Sequence, residues 1–171
     1  MNHQISIGAK TDEYYTIPKY VYPIMEHIPK SWRILCPFDK KDSAFVSVFS
    51  ANGYEVQYGH IDEGKDFFAH EYADFDCIIS NPPYSKREAI LEKLYRIGKP
   101  FAMLINETGL FDSKKRFDLL STNPFEIMMF DHRISYRNEN DTQKTSPPFK
   151  SIYLCSNILP SKFVFIKNRQ P

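Results

Sequence analysis

The sequence has little glycine and almost no net charge. Glycine accounts for 6 of its 171 residues, and the formal net charge is +1 at pH 7. A near-neutral chain has no general electrostatic attraction to nucleic acid, since nucleic-acid-binding domains are usually strongly basic. Any contact with nucleic acid must therefore come from a local patch or from a partner subunit.

Cysteine pairs and long apolar runs are also lacking. Cys36, Cys77 and Cys155 are far apart and form no CxxC pair, which predicts buried free thiols in a reducing cytosol and no metal site. The apolar runs are far shorter than the ~18 residues that a membrane span needs, and residues 1–10 contain no apolar signal core. We expect a cytoplasmic protein without membrane contact.

The composition is that of a folded domain. Hydrophobic residues make up 42% of the chain and aromatic residues 15%, which is typical of a globular protein. The length favours one domain over residues 1–171. Within it we expect an irregular polar segment at 1–16 and a polar, proline-containing mobile loop at 137–148.

Apolar strands alternate with helices along the chain. Strands are predicted at 33–36, 54–58, 75–79, 100–105, 126–130, 151–155 and 162–166. Helices are predicted at 18–28, from a cap at Asp42 or Ser43 to Asn52, from a capping box of Ser85 and Glu88 to Gly98, and at 113–120. This alternation predicts an α/β fold with a largely parallel sheet. Ligands bind beyond the carboxyl ends of such strands, so the loops at 36–43, 59–68, 80–85 and 106–112 are expected on one rim.

Asn81-Pro82-Pro83-Tyr84 follows one of these strands and contains the side chains best suited to chemistry. Two consecutive prolines fix φ and remove two N–H donors, so the loop is rigid. The Asn81 side-chain oxygen and the Pro82 carbonyl can accept from an exocyclic amine and hold its lone pair toward an electrophilic methyl group. Tyr84 offers a flat face on which a nucleobase can stack. The alternative is a strand-to-helix turn without chemistry, because turns favour Asn and Pro.

This tetrapeptide resembles, letter for letter, the catalytic motif of the N6-adenine methyltransferases of restriction-modification and phage type. The resemblance extends from about Asp12 to Ile166. It implies a Rossmann-like, class I methyltransferase sheet with helices on both faces. It also implies S-adenosyl-L-methionine as the cofactor and the four residues of the motif as the catalytic residues.

A segment near the start of the chain is similar to the family's N-terminal cofactor motif. That motif is a Tyr-Thr-Pro-like segment that covers the methionine end of the cofactor. Here Tyr15 and Thr16 are the matching residues, and Ile17 separates them from Pro18. The resemblance implies that Tyr15 and Thr16 bind the cofactor.

A second segment, GKDFF, resembles the part of the family that binds the cofactor's adenine. There an Asp accepts from the adenine amine and a Phe packs against its ring, which correspond to Asp66 and Phe67. The resemblance also implies that Asn81 borders the cofactor. The cofactor motif precedes the catalytic motif, which is the γ arrangement of the family.

The loop after the first strand departs from the family pattern, because it lacks the usual glycines. Its residues from Cys36 to Ser43 are CPFDKKDS. The resemblance implies that Cys36, Pro37, Phe38 and Asp39 line the cofactor site, with Asp39 or Asp42 as a hydrogen-bond acceptor.

The end of the second strand also departs from the family, which usually has an acidic residue there for the ribose hydroxyls. This chain has Gly59-His60-Ile61-Asp62. Either His60, with Ile61 beside it, takes that place, or Asp62 reaches it. An ordinary turn with a solvated Asp62 is the other interpretation.

The sequence therefore predicts an S-adenosylmethionine-dependent methyltransferase that acts on the N6 amine of adenine, with DNA favoured over RNA. No separate target-recognition domain is predicted, so specificity is expected from a homo-oligomer or a recognition subunit. One alternative is a methyltransferase for protein glutamine or another amine or amide. The other is a degenerate methyltransferase fold that serves as a non-catalytic, partner-binding subunit. No metal is expected, since methyl transfer from a sulfonium needs no Lewis acid.

Overall fold

The computed structural model describes residues 14–137 and 144–168. Within these residues the chain forms ten strands. In chain order they are β1 (Tyr15–Thr16), β2 (Ile34–Cys36), β3 (Val56–Tyr58), β4 (Cys77–Ser80), β5 (Phe101–Asn106), β6 (Glu126–Phe130), β7 (Tyr136–Arg137), β8 (Lys144–Thr145), β9 (Ser151–Ser156) and β10 (Phe163–Ile166). All seven predicted strands are present, and the predicted bounds of β6 coincide with the observed ones.

Four α-helices occur in the same part of the chain: α1 (Tyr22–Met25), α2 (Ala44–Ala51), α3 (Arg87–Ile97) and α4 (Lys114–Thr122). Short 3₁₀ turns lie at Pro18–Tyr20, Ile61–Glu63 and Tyr84–Lys86. The helix predicted at 18–28 is thus a 3₁₀ turn followed by one turn of α-helix. None of the helices in the described residues has the length and apolar character needed to cross a membrane.

The helix caps agree with the sequence at one helix and differ at another. Ser43 caps α2, since its Oγ accepts a backbone N–H of the first turn. The capping box of Ser85 and Glu88 is wrong. A 3₁₀ turn precedes α3, so the N-cap of α3 is Lys86, which makes no side-chain cap bond. The Glu88 carboxylate instead accepts from Ser113 Oγ at 2.7 Å.

The main sheet has seven strands in the order β10-β6-β9-β5-β4-β2-β3. Parallel pairing joins β3 to β2, β2 to β4, β4 to β5 and β6 to β10. The strand β9 runs antiparallel to both of its neighbours, β5 and β6. The prediction of a largely parallel sheet is confirmed. The last two predicted strands do not pair with each other, because β6 lies between them.

Helices cover both faces of this sheet, as predicted. Alternate residues of β5 enter two separate cores: Ala102 and Leu104 face one, and Phe101 and Met103 face the other. The first core contains the apolar side chains of α1 and α2. The second contains those of α3 and α4. A sheet covered on both faces explains why its strands are apolar runs and do not alternate with polar residues.

A smaller sheet of order β1-β7-β8 corrects two predictions. The segment 1–16 is not irregular throughout, because Tyr15 pairs with Arg137 and Thr16 with Tyr136 in antiparallel strands. The segment 137–148 is not a single loop, because β8 pairs with β7. In both places, pairing satisfies backbone groups that two-residue strands cannot satisfy alone. Residues 1–13, with Asp12 of the proposed resemblance, and residues 138–143 lie outside the described residues.

Candidate active site

The carboxyl ends of β2, β3, β4 and β5 lie on one rim of the sheet, because these strands are parallel. Backbone hydrogen bonds join the first two loops of this rim. Asp39 N donates to Gly59 O at 2.9 Å, and Gly59 N donates to Cys36 O at 3.1 Å. The sequence-predicted loops are therefore neighbours in space, and the candidate site is built on them.

Asn81 follows β4 directly, and its amide has a fixed orientation. Its Nδ2 donates to Tyr14 O at 2.8 Å and to Thr16 Oγ1 at 3.3 Å. Because a backbone carbonyl can only accept, the Asn81 nitrogen must face Tyr14. The Asn81 Oδ1 atom points away from this pair and is buried, and no donor in the described residues bonds to it. A buried acceptor without a donor is costly, and a bound ligand is one group that can supply the missing donor.

The two prolines give the loop a fixed path. Pro82 is buried. Pro83 has φ −62° and ψ 126°, which is extended backbone, and its carbonyl accepts from Lys86 N at 3.2 Å. The chain therefore turns immediately from β4 into the 3₁₀ turn that begins at Tyr84.

Aromatic side chains surround Tyr84. Its ring stacks on Tyr14, with 5.9 Å between the centroids and 24° between the planes. Phe149 meets it edge to face at 5.4 Å. The Tyr84 hydroxyl lies 3.1 Å from that of Tyr136, which lies 2.7 Å from Ser151 Oγ. Burial is the main cause that raises the pKa of Tyr84 above its usual value and that of Tyr136 to about 12.

Asp39 is a buried carboxyl group in the loop after β2. It is 6% exposed, and it accepts a hydrogen bond from the hydroxyl of Ser80, the residue before Asn81. Burial raises the pKa of Asp39 from 3.8 to about 6, while hydrogen bonds from Ser80 and Ser43 act in the opposite direction. No cationic side chain of the described residues forms a salt bridge with Asp39. The carboxylate is thus ionised at neutral pH without a counter-charge from the part of the chain that the structure describes.

The other residues of the first loop lie mostly in the interior. Cys36 ends β2 and is fully buried, and burial raises the pKa of its thiol, so its side chain is an inert part of the core. Pro37 is also buried. The Phe38 ring packs edge to face on Phe67, with 4.9 Å between the centroids. The contact between these two rings links the loop after β2 to the loop at 59–68, in the core beneath the rim.

Asp66 and Phe67 lie on the 59–68 loop. Phe67 is buried, and Lys93 Nζ donates to its carbonyl. Asp66 Oδ1 accepts from Phe68 N at 3.0 Å, so the carboxylate caps its own turn.

His60 and Ile61 form the start of the same loop. His60 Nδ1 accepts from Asp62 N at 3.2 Å and caps a 3₁₀ turn. The Asp62 carboxylate pairs with Lys40 at 2.7 Å. Ile61 is exposed at the surface. Both candidates for the acidic position therefore lie together at the end of β3. Tyr15, on β1, is also exposed.

Sequence reasoning did not assign roles to Tyr136, Ser151, Phe149 and Ser80. The first three come from segments distant from Tyr84 in the chain: Tyr136 is on β7, Ser151 begins β9, and Phe149 lies just before β9. The triplet Pro147-Pro148-Phe149 repeats the Pro-Pro-aromatic pattern of the motif, and this repetition in the sequence could have indicated that Phe149 belongs to the site. Ser80 immediately precedes the motif, and only the fold brings it to Asp39.

Metal-ligand clusters are not found among the described residues, where no group of three or more His, Cys, Asp or Glu side chains could hold an ion. Lys114, Lys115 and Arg116 form a basic run at the start of α4. All three cations are paired with carboxylates: Lys114 with Asp118, Lys115 with Glu92 and Arg116 with Glu88.

Comparison with solved structures identifies the fold. A modification subunit of a putative type I restriction enzyme from Vibrio vulnificus superposes with a TM-score of 0.59 at 11% identity, covering 96% of this chain and 49% of that one. A type I restriction-modification methyltransferase subunit from Streptococcus thermophilus gives 0.56 at 13% identity, covering 91% and 47%. The tRNA (m1A58) methyltransferase from Aquifex aeolicus gives 0.51 at 14% identity, covering 90% and 74%. No protein-family model matches the sequence, and no curated protein matches it.

These likenesses, together with the sheet order, define a Rossmann-like methyltransferase fold. The chain spans about half the length of the two type I subunits that it matches. At identities of 11 to 14% the likeness establishes the fold alone.

Proposed function

We propose that the protein is an S-adenosylmethionine-dependent methyltransferase that acts on the N6 amine of adenine in DNA. The observation that carries the proposal is the buried Asn81 Oδ1 atom, which has no donor in the described residues. An exocyclic amine supplies such a donor. Because Tyr14 and Thr16 occupy the amide nitrogen, Asn81 presents an acceptor to the substrate and cannot present a donor.

The residues of the motif perform distinct tasks in this proposal. The acceptor amine donates to Asn81 Oδ1 and to the Pro82 carbonyl, and these two bonds direct its lone pair toward the methyl donor. The Tyr84 ring holds a base that has left its stack, an interaction worth ~1–3 kcal/mol per base. No strong base is needed, because the ammonium formed on methyl transfer is acidic and loses its proton readily.

The negative charge of Asp39 on the rim suits the positive charge of the proposed cofactor. S-adenosylmethionine supplies an electrophilic methyl group on a cationic sulfur when bound. Asp39 is a buried carboxylate on the same rim without a cationic partner in the described residues, and it is suited to a ligand of positive charge. Asp66 would accept from the cofactor's adenine amine, Phe67 would pack beneath the adenine, and Thr16 would border the methionine end.

The acceptor is proposed to be DNA, with RNA as the second choice. Two of the similar structures are named as type I restriction or restriction-modification proteins, and a third as a tRNA methyltransferase. The near-neutral chain, with a net charge of +1, favours a homo-oligomer or a recognition subunit as the source of sequence specificity.

The test is methyl transfer from labelled S-adenosylmethionine to unmethylated DNA and RNA, with cofactor affinity measured on the same proteins. Asn81→Ala is expected to abolish turnover and to leave cofactor affinity nearly unchanged, since Asn81 acts on the acceptor. Asn123→Ala is the matched control: its amide donates to Leu119 O at the end of α4, away from the rim, and it should methylate as the parent does.

The outcomes separate the alternatives. An Asn81→Ala protein as fast as the parent would mean that the loop is only a turn, and the enzymatic proposal would fail. A parent that binds cofactor but methylates neither nucleic acid would favour a protein glutamine or another amine as the acceptor. A parent that binds no cofactor would favour a non-catalytic, partner-binding subunit.

A further inference from the structure

A chain of hydroxyl groups lies behind Tyr84. The Tyr84 hydroxyl lies 3.1 Å from that of Tyr136, and the Tyr136 hydroxyl lies 2.7 Å from Ser151 Oγ. Tyr136 is 0% exposed and Ser151 is 1% exposed. The far end of the Tyr84 ring is therefore tied to groups in the protein interior.

These linked hydroxyl groups connect both sheets to the Asn81–Tyr84 motif. Tyr136 is on β7, and its partner across the small sheet is Thr16 on β1. Thr16 Oγ1 accepts from Asn81 Nδ2. Ser151 begins β9 of the main sheet, opposite Asn106. One pair of opposed residues, Thr16 and Tyr136, thus holds Asn81 on one side and Tyr84 on the other.

We propose that Tyr136 is a positioning residue that holds the Tyr84 ring in place through its hydroxyl, and that Ser151 fixes Tyr136 in turn. The inference rests on the proposed function, in which an acceptor base stacks on Tyr84, and adds the group that orients the stacking surface. A tyrosine side chain has several staggered χ1 rotamers, and each of them places the ring at a different point. A hydrogen bond at the far end of the ring removes that freedom before the base arrives, which lowers the cost of binding.

Loss of the Tyr136 hydroxyl should impair activity toward the acceptor and should not change the affinity for the cofactor. Tyr136→Phe keeps the buried ring and removes the hydroxyl that faces Tyr84. We expect kcat/KM for an oligonucleotide to fall roughly threefold to tenfold, the range of one net hydrogen bond, with cofactor affinity unchanged. Tyr84→Phe should lower it by a similar factor, since it removes the other end of the same bond.

A double-mutant cycle tests whether the two hydroxyls act as a unit. Combining Tyr136→Phe with Tyr84→Phe is expected to reduce kcat/KM no further than either single change, because the bond can be lost once. Multiplied effects in the double variant would overturn the proposal, since Tyr136 would then act independently of Tyr84.

Tyr153→Phe is the matched control for buried hydroxyl loss. Tyr153 is also fully buried, and its hydroxyl donates to Tyr20 O at 2.9 Å without contact to Tyr84. It should lower the melting temperature while kcat/KM stays at the parent value. An equal loss of kcat/KM in Tyr153→Phe and Tyr136→Phe would mean a general effect of core damage and would also overturn the proposal.

A second measurement keeps the positioning role testable apart from the proposed function. The position of the Tyr84 ring is followed by NMR on tyrosine-labelled protein through its NOEs to the Tyr14 ring, which lies 5.9 Å away, with the signals assigned by their loss in Tyr84→Phe. Weaker NOEs in Tyr136→Phe and in Ser151→Ala support the positioning role, and unchanged NOEs in both contradict it. A parent that methylates neither DNA nor RNA contradicts the proposed function, and the NOEs then decide the positioning role alone.

Discussion

Asp39 is a residue at which stability and function are expected to oppose each other. Its pKa in the folded protein is about 6, raised by burial from 3.8. A group whose pKa is raised on folding stabilises the folded state below its unfolded pKa, and this contribution is lost as the pH rises through the folded pKa. The folded protein should therefore lose about 3 kcal/mol of stability from Asp39 between roughly pH 4 and pH 7.

Asp39→Asn tests this sign. The amide can still accept from Ser80 but carries no charge. The free energy of unfolding at neutral pH should therefore be higher for the variant than for the parent. The gain should be up to about 3 kcal/mol at pH 7 and should vanish near pH 4. Denaturant unfolding at both pH values is the measurement, and the same change at the exposed neighbour Asp42 is the control. A variant less stable than the parent at pH 7 would show that the carboxylate is compensated in the fold.

The same substitution should weaken the binding of S-adenosylmethionine, because it removes a negative charge that no described cation compensates at the rim. Such a trade, in which a residue lowers stability and raises ligand affinity, is common at functional sites. A parent and an Asp39→Asn variant with equal cofactor affinity would remove Asp39 from the proposed cofactor site while leaving the stability argument intact.

At the scale of elements, the segment after β3 packs too closely on Gly59 to admit a side chain. A Cβ at position 59 would lie 2.6 Å from Tyr72 Oη and 3.0 Å from Lys65 Cβ. Gly59→Ala should therefore displace the 59–68 loop, at a cost of about 1–3 kcal/mol. We expect a lower melting temperature together with weaker cofactor binding, measured by calorimetric titration.

Gly53→Ala is the comparison for that prediction. Gly53 has φ +81° after the end of α2, at the opposite rim of the sheet, and a Cβ at this position would meet no heavy atom within 4 Å beyond its chain neighbours. An alanine there is strained by its backbone alone, at about 1–2 kcal/mol. It should lower the melting temperature without affecting cofactor affinity. Equal losses of affinity in both variants would show that the 59–68 loop has no special part in cofactor binding.

Elements with a strong apolar pattern were predictable from sequence, and those made by pairing were not. The bounds of β6 were predicted correctly because Glu126 to Phe130 is an apolar run between turn residues. β1 and β7 have two residues each, too few to carry a period, and they exist because Thr16 meets Tyr136 from a distant part of the chain. The cap at Ser85 was wrong because local spacing does not reveal an intervening 3₁₀ turn.

The candidate site follows the same division. The Asn81 to Tyr84 motif is contiguous, so its residues could be named from sequence. The hydroxyls of Tyr136 and Ser151 reach Tyr84 only through strand pairing. The inward orientation of Asp39 onto Ser80 required the register of two adjacent strands, which a single sequence does not specify.

At the scale of the whole molecule, the charge distribution predicts weak salt dependence of nucleic-acid binding. Many cations of the described surface are paired with carboxylates, including Lys99 with Asp74 and Arg116 with Glu88. The affinity for a labelled oligonucleotide should fall with salt at a logarithmic slope of about −2 to −3, corresponding to two or three phosphate contacts. Fluorescence anisotropy over a salt series measures it. A slope of about −6 or steeper would contradict the prediction and indicate an extended basic surface.

The position of β9 in the sheet also governs the order in which the molecule can be completed during synthesis. β5 and β6 are consecutive strands of the main sheet, yet β9 separates them and pairs with both. When the ribosome has released β6, the strands of the main sheet made so far are therefore a four-stranded part, β5-β4-β2-β3, and the single strand β6, which cannot pair with each other. At elongation rates of about 5–20 residues per second, the inner edges of β5 and β6 wait on the order of seconds for their common partner. During that interval the nascent chain exposes unpaired strand edges, so we expect chaperone binding to be strongest at this stage of synthesis.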